Sequence, residues 1–132
     1  YHMTLLEGSW QTLHRISGYI VEVENSDTLC VFGAIVRWSS SHYWILGDTL
    51  GYIVNRGLTD DLIYVSYDTT YITGFDGMEV PTINSSSRSN SSGEVNTMFA
   101  PVGNMRGDTV DVSVSWILNN EWETYIFEIV LD

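Results

Sequence analysis

From Thr109 to Asp132, apolar and polar residues alternate with a period of two, and the alternation folds back on itself at Asn119-Asn120. If Leu118 faces Glu121 across that two-residue turn, Trp116 faces Glu123, Val114 faces Tyr125, Val112 faces Phe127 and Val110 faces Ile129. One face of this hairpin is then almost wholly apolar. The other pairs Ile117 with Trp122, Ser115 with Thr124, Ser113 with Ile126 and Asp111 with Glu128. A slip of one residue would carry the apolar set to the opposite face, so the register is strongly specified. Ile117 and Trp122 are too apolar to stand uncovered, and a second sheet or a neighbouring subunit is expected over that end.

The same period recurs upstream in shorter pieces. Ser9 to Ile16 reads as a first strand, bent at Ser17-Gly18 into a second run, Tyr19 to Glu24, with a turn at Asn25-Ser26-Asp27. Thr28 to Trp38 is apolar on both faces, the mark of a central, doubly covered strand. Ser39-Ser40-Ser41 turns the chain into His42 to Leu46, and Thr49 to Asn55 follows, closed by Arg56-Gly57. Leu62 to Ile72 is rich in Tyr, Ile, Val and Thr and reads as a long strand, while Asp76-Gly77 is a hairpin signal. Residues 84 to 93, Asn-Ser-Ser-Ser-Arg-Ser-Asn-Ser-Ser-Gly, form a low-complexity polar loop with nothing to bury, expected to be exposed. Val95 to Ala100 adds a strand and Pro101 to Gly107 a loop. About nine short strands at regular spacing predict an all-β fold, an antiparallel sandwich or barrel of jelly-roll type.

Composition narrows this picture. The 132 residues fit one domain, and 44% hydrophobic content suffices for a single core. Tyr1-His2-Met3 resembles a vector-derived remnant, so the domain is expected to be cut from a longer protein. Seventeen acidic residues against five Arg and no Lys give a net charge of −12. A field of that sign disfavours nucleic acid and anionic membrane surfaces as partners. Cys30 is alone within Leu29-Cys30-Val31-Phe32, which predicts a buried, inert thiol and no intrachain disulfide.

Enzyme chemistry finds little footing. Glu22 with Glu24 and Glu121 with Glu123 each share a strand face, but a glycosidase needs two carboxyl groups across one groove, and spacing by two is ordinary on a solvated face. The sequence has no Gly-x-Ser-x-Gly elbow for His14 or His42 to serve, and the two histidines lack zinc-ligand spacing. No cofactor is expected; calcium is the most plausible metal, because Asp27, Asp48, Asp60, Asp61, Asp76 and Asp108 sit in turn-like segments. Asp111 opposite Glu128 is the sharper metal candidate, since directly paired like charges repel. The feature that stands out is Trp38, His42, Tyr43 and Trp44 around a Ser-rich turn, aromatic faces with polar tips of the kind that stack on sugar rings. These four are the candidate ligand-binding residues.

Two stretches resemble known families. Leu6-Glu7-Gly8-Ser9-Trp10 resembles the Gly-x-Trp lead-in to the first strand of lipocalin-type barrels, which implies an eight-stranded cup for a small apolar ligand. Those proteins usually carry a basic residue near the closing end, whereas here no Arg or Lys follows Arg106. Thr28 to Tyr52, with an apolar strand through Val36, then Ile45-Leu46 and Leu50-Gly51-Tyr52, resembles the C-terminal head domains of phage tail-fibre and receptor-binding proteins. The Leu-Pro-x-Gly-Tyr-like element of those heads lacks its Pro here. That resemblance implies a homotrimer on a virion or other extracellular surface that binds a host glycan or protein receptor. The leading expectation is therefore a non-enzymatic carbohydrate- or receptor-binding head, with a lipocalin-like carrier second and a small acidic glycosidase third.

Overall fold

The alternation of the closing segment is realised residue for residue. In the computed structural model, which describes residues 1–46, 48–58, 64–70, 79–118 and 120–132, Leu118 pairs with Glu121, Trp116 with Glu123, Val114 with Tyr125, Val112 with Phe127 and Val110 with Ile129. In chain order the strands are β1 (His2–Met3), β2 (His14–Tyr19), β3 (Val21–Glu24), β4 (Asp27–Cys30), β5 (Ile35–Ser40), β6 (His42–Ile45) and β7 (Asp48–Leu58). They continue with β8 (Tyr64–Thr70), β9 (Glu79–Pro81), β10 (Ser86–Arg88), β11 (Glu94–Phe99), β12 (Thr109–Leu118) and β13 (Glu121–Leu131). A 3-10 turn, Gly103–Met105, precedes the hairpin. The fold is all-β. Among the described residues there is no α-helix, so none is long and apolar enough to cross a membrane.

The main sheet has the order β1-β13-β12-β5-β10, antiparallel except that β1 runs parallel to β13. A second has the order β8-β7-β6-β9, and β11-β2 and β3-β4 form pairs. Residues 82–85 knit the layers together. Trp38 N donates to the Ser85 carbonyl at 2.9 Å, Asn84 N to Met98 at 3.1 Å, and Ala100 N to Thr82 at 2.6 Å. The sheets thus curl about one core, in a shape that fits a sandwich or a barrel. Leu5, Val36, Phe99, Val102, Met105, Val110, Val112 and Leu131 are fully buried there. Each such side chain contributes roughly 1.5–3 kcal/mol by leaving water. Tyr1-His2-Met3, whatever its origin, is built into this body: His2 pairs with Val130, Met3 pairs with Leu131, and the Met3 side chain is buried.

Several expectations are corrected. Thr28 to Trp38 is two strands, interrupted at residues 31–34, where Gly33 takes φ +75° and Phe32 is 75% exposed. The interruption is held from a distance by Ser89. Its hydroxyl donates to the Val31 carbonyl at 2.6 Å and accepts from Ala34 N at 2.8 Å, in place of ladder partners. Residues 84–93 are therefore not simply an exposed loop: they contain β10, paired to β5, and the buried Ser89. Cys30, expected in the core, is exposed on the β3-β4 hairpin. The bend expected at Ser17-Gly18 is absent, because β2 runs through it in register with β11, Gly18 opposite Val95. β7 extends past the expected stop at Arg56-Gly57. The Asp76-Gly77 hairpin lies outside the described residues.

Candidate ligand-binding site

The four aromatic and histidine candidates do not form one surface. β5 belongs to the main sheet and β6 to the β8-β7-β6-β9 sheet, so the bend at Ser41 separates the cluster instead of folding it together. Trp38, 6% exposed, faces the core and donates its indole N–H to Ser87 Oγ at 2.8 Å. Tyr43 and Trp44 are half-buried, and Trp44 meets the Trp10 ring edge-on, centroids 5.5 Å apart. Trp10 itself is 48% exposed and precedes β2. The Gly-x-Trp segment is thus not a strand start. Residues 10–12 bond instead to the 101–103 loop, with Gly103 N donating to the Trp10 carbonyl at 2.7 Å.

His42, 2% exposed, is a structural residue. Its Nδ1 lies 2.7 Å from Ser41 Oγ and its Nε2 lies 3.2 Å from Asp108 Oδ2, the same oxygen that accepts from the Tyr52 hydroxyl at 2.8 Å. Ser41 Oγ in turn accepts from Asp111 N at 3.0 Å. The neutral tautomer protonated at Nε2 satisfies this whole chain: Ser41 donates to Nδ1 and Nε2 donates to the Asp108 carboxylate. The His42 ring also stacks on Tyr52 with centroids 6.0 Å apart. Buried so, it offers no surface to a ligand.

Among the described residues, a concave feature lies elsewhere. A half-open cleft of about 590 Å³ sits between β2 and the inner face of the β12-β13 hairpin, and of the four candidates only Trp38 reaches it. Its floor is formed by Val114, Trp116, Tyr125, Phe127 and Ile129, and Ile16, Gly18 and Ile20 wall it from the β2 side. Tyr125 stacks on Phe127 at 5.9 Å, and Tyr1 meets Phe127 edge-on at 5.5 Å. Sequence reading assigned Trp116, Tyr125 and Phe127 to the apolar face of the hairpin, correctly, but as core. The available signal was the length of that face, which exceeds what a short strand pair can cover.

The lining decides which chemistry the cleft supports. It contains no Asp or Glu, whereas Glu22, Glu24, Glu121 and Glu123 are exposed on β3 and β13. The paired carboxylates that glycoside hydrolysis requires are therefore not in this groove. Asp111 and Glu128 do pair directly across the hairpin, on its exposed outer face. Among the described residues no three His, Cys, Asp or Glu side chains come together to hold a metal ion. Asp60, Asp61 and Asp76 lie outside the described residues, and Asp108 is engaged by His42 and Tyr52. No protein-family model, no curated protein and no solved structure matches this chain.

Proposed function

We propose that this chain is a non-enzymatic recognition domain that binds a small, mostly apolar ligand in the cleft between β2 and the closing hairpin. The observation that carries this reading is the cleft itself: about 590 Å³, floored by Val114, Trp116, Tyr125, Phe127 and Ile129. Small-molecule sites occupy roughly 300–1,000 Å³, with mostly apolar walls and a few polar groups at the mouth. Of the functions considered from the sequence, the carrier class suits such a cavity best. Glycosidase chemistry is the least supported, for want of carboxylates in the groove.

The test uses a neutral fluorescent probe, N-phenyl-1-naphthylamine, whose emission rises on entering an apolar site. The parent should bind it with a 1:1 stoichiometry. Gly18 lines the cleft, and a Cβ placed on it would meet no atom within 4 Å, so Gly18→Phe should fill the space and abolish binding while the protein stays folded. Saturable binding that survives Gly18→Phe, or no binding by the parent, would overturn the reading.

A second reading, the trimeric glycan- or receptor-binding head of a fibre or other surface protein, draws on a different observation. The outer face of the hairpin keeps Ile117, Trp122 and Ile126 exposed, with Arg37 of β5 stacked 5.3 Å over the Trp122 ring. Exposed apolar residues grouped in this way mark contact surfaces. Sedimentation at micromolar concentration distinguishes the two: a trimer that Trp122→Glu dissociates favours the head, and a monomer favours the carrier. Jelly-roll topology belongs to this second reading.

A further inference from the structure

Resting on the cleft reading above, we infer that the natural ligand is an anionic amphiphile, with an apolar body against the hairpin and a carboxylate or similar head at the mouth. The argument is one of charge distribution. The chain carries 17 acidic residues and only five Arg and three His. None of the acidic residues lines the cleft, yet His2, His14 and Arg15 do. Two of three His and one of five Arg thus border a single cavity in a protein of net charge −12. The summed field of such a chain repels an approaching anion. At this mouth it meets one arginine and two imidazoles, with no carboxylate in the lining.

The strand geometry bears on how those side chains meet the cleft. His14 shares a face of β2 with Ile16 and Gly18, which wall the cleft, so it stands at the end of the apolar wall and not behind it. Arg15 follows on the other face of the strand but also borders the cleft, and both residues are exposed. His2 already has a partner, Asp132 Oδ2 at 3.0 Å, which leaves His14 and Arg15 as the proposed head-group contacts. An arginine fork and an imidazole are both suited to a planar carboxylate or a sulfonate. A cationic head gains nothing from them.

Two probes with one ring system isolate the head group. 1-Anilinonaphthalene-8-sulfonate carries a sulfonate that N-phenyl-1-naphthylamine lacks, and the two are otherwise alike. The parent should bind the sulfonate probe on the order of tenfold more tightly, the worth of one charge-assisted contact. The double variant His14→Gln/Arg15→Gln should bring both probes to the same affinity without weakening the neutral one. Dodecanoate should displace the sulfonate probe, and dodecyltrimethylammonium should do so at least tenfold less well. If the neutral probe binds as tightly as the anionic one, or if the preference persists in the double variant, the inference is overturned while the cleft reading stands. Failure of both probes to bind overturns the cleft reading itself.

Discussion

Replacing Asp108 by Ala tests whether the relay around His42 holds the β6-β7 sheet to the loop before β12. In the parent, one carboxylate oxygen accepts from the Tyr52 hydroxyl at 2.8 Å and faces His42 Nε2 at 3.2 Å. Both donors are buried, at 3% and 2% exposure. A buried donor deprived of an acceptor costs about 1–3 kcal/mol. The Asp108 side chain is itself 33% exposed, so water can partly replace it, and the low end applies to each donor. The expected loss is about 2 kcal/mol, a large part of the 5–15 kcal/mol typical of such domains. In a chain of this length that lowers Tm by roughly 6–8 °C. Urea unfolding should show the loss as a lower midpoint at unchanged slope.

Two companion variants separate this relay from a general effect of mutation. Asp108→Asn keeps one carbonyl acceptor and should cost about half as much. Tyr52→Phe removes one donor, so its effect and that of Asp108→Ala should fall short of additivity by about 1 kcal/mol in a double-mutant cycle. A stability of Asp108→Ala within about 0.5 kcal/mol of the parent, or strict additivity with Tyr52→Phe, would refute the reasoning.

Three further outcomes are expected. Gly93 has φ +76°, and a Cβ there would sit 2.7 Å from the Ile20 carbonyl oxygen, so Gly93→Ala should destabilise by at least about 2 kcal/mol in urea titration. Ser89→Ala removes the hydroxyl that spans Val31 and Ala34; about 2 kcal/mol should be lost, and amide exchange at Ala34 should accelerate, which a neutral surface change would not do. Cys30 is exposed, so one equivalent of an aromatic disulfide reagent should react with the native protein, and a requirement for denaturant would contradict its placement on the β3-β4 hairpin.

The register of β12 and β13 was legible because most of its pairs obey one rule, the sorting of apolar from polar side chains at a period of two. The break between β4 and β5 was not, because the residue that creates it lies far along the chain. Leu29 to Val36 looks continuous until Ser89, 55 residues after Ala34, supplies a hydroxyl to it. The bend expected at Ser17-Gly18 failed for a related reason. Glycine permits a turn there, but pairing with Val95 offers a ladder, and the ladder prevails. Trp38 and Trp44 look adjacent in sequence, yet the chain changes sheets between them. Proximity along the chain misled wherever the next element joined a different layer.

The cleft follows from unequal strand lengths. β12 and β13 have 10 and 11 residues, whereas β2 and β11 have six each. At about 3.3 Å per residue, the strands of the hairpin are longer than those of the pair by roughly 13–17 Å. Burial along its inner face records the mismatch. Val110, Val112 and Leu131 are shielded completely, Val114 and Ile129 nearly so, Trp116 and Phe127 by half, and Tyr125 is open. The most completely buried side chains are therefore gathered at the base of the hairpin, and the aromatic residues toward its turn are only partly covered or open. Those are the residues that floor the cavity. One uninterrupted alternation thus serves two ends: where another layer covers the face it is core, and where the layer stops it is an aromatic surface open to a ligand.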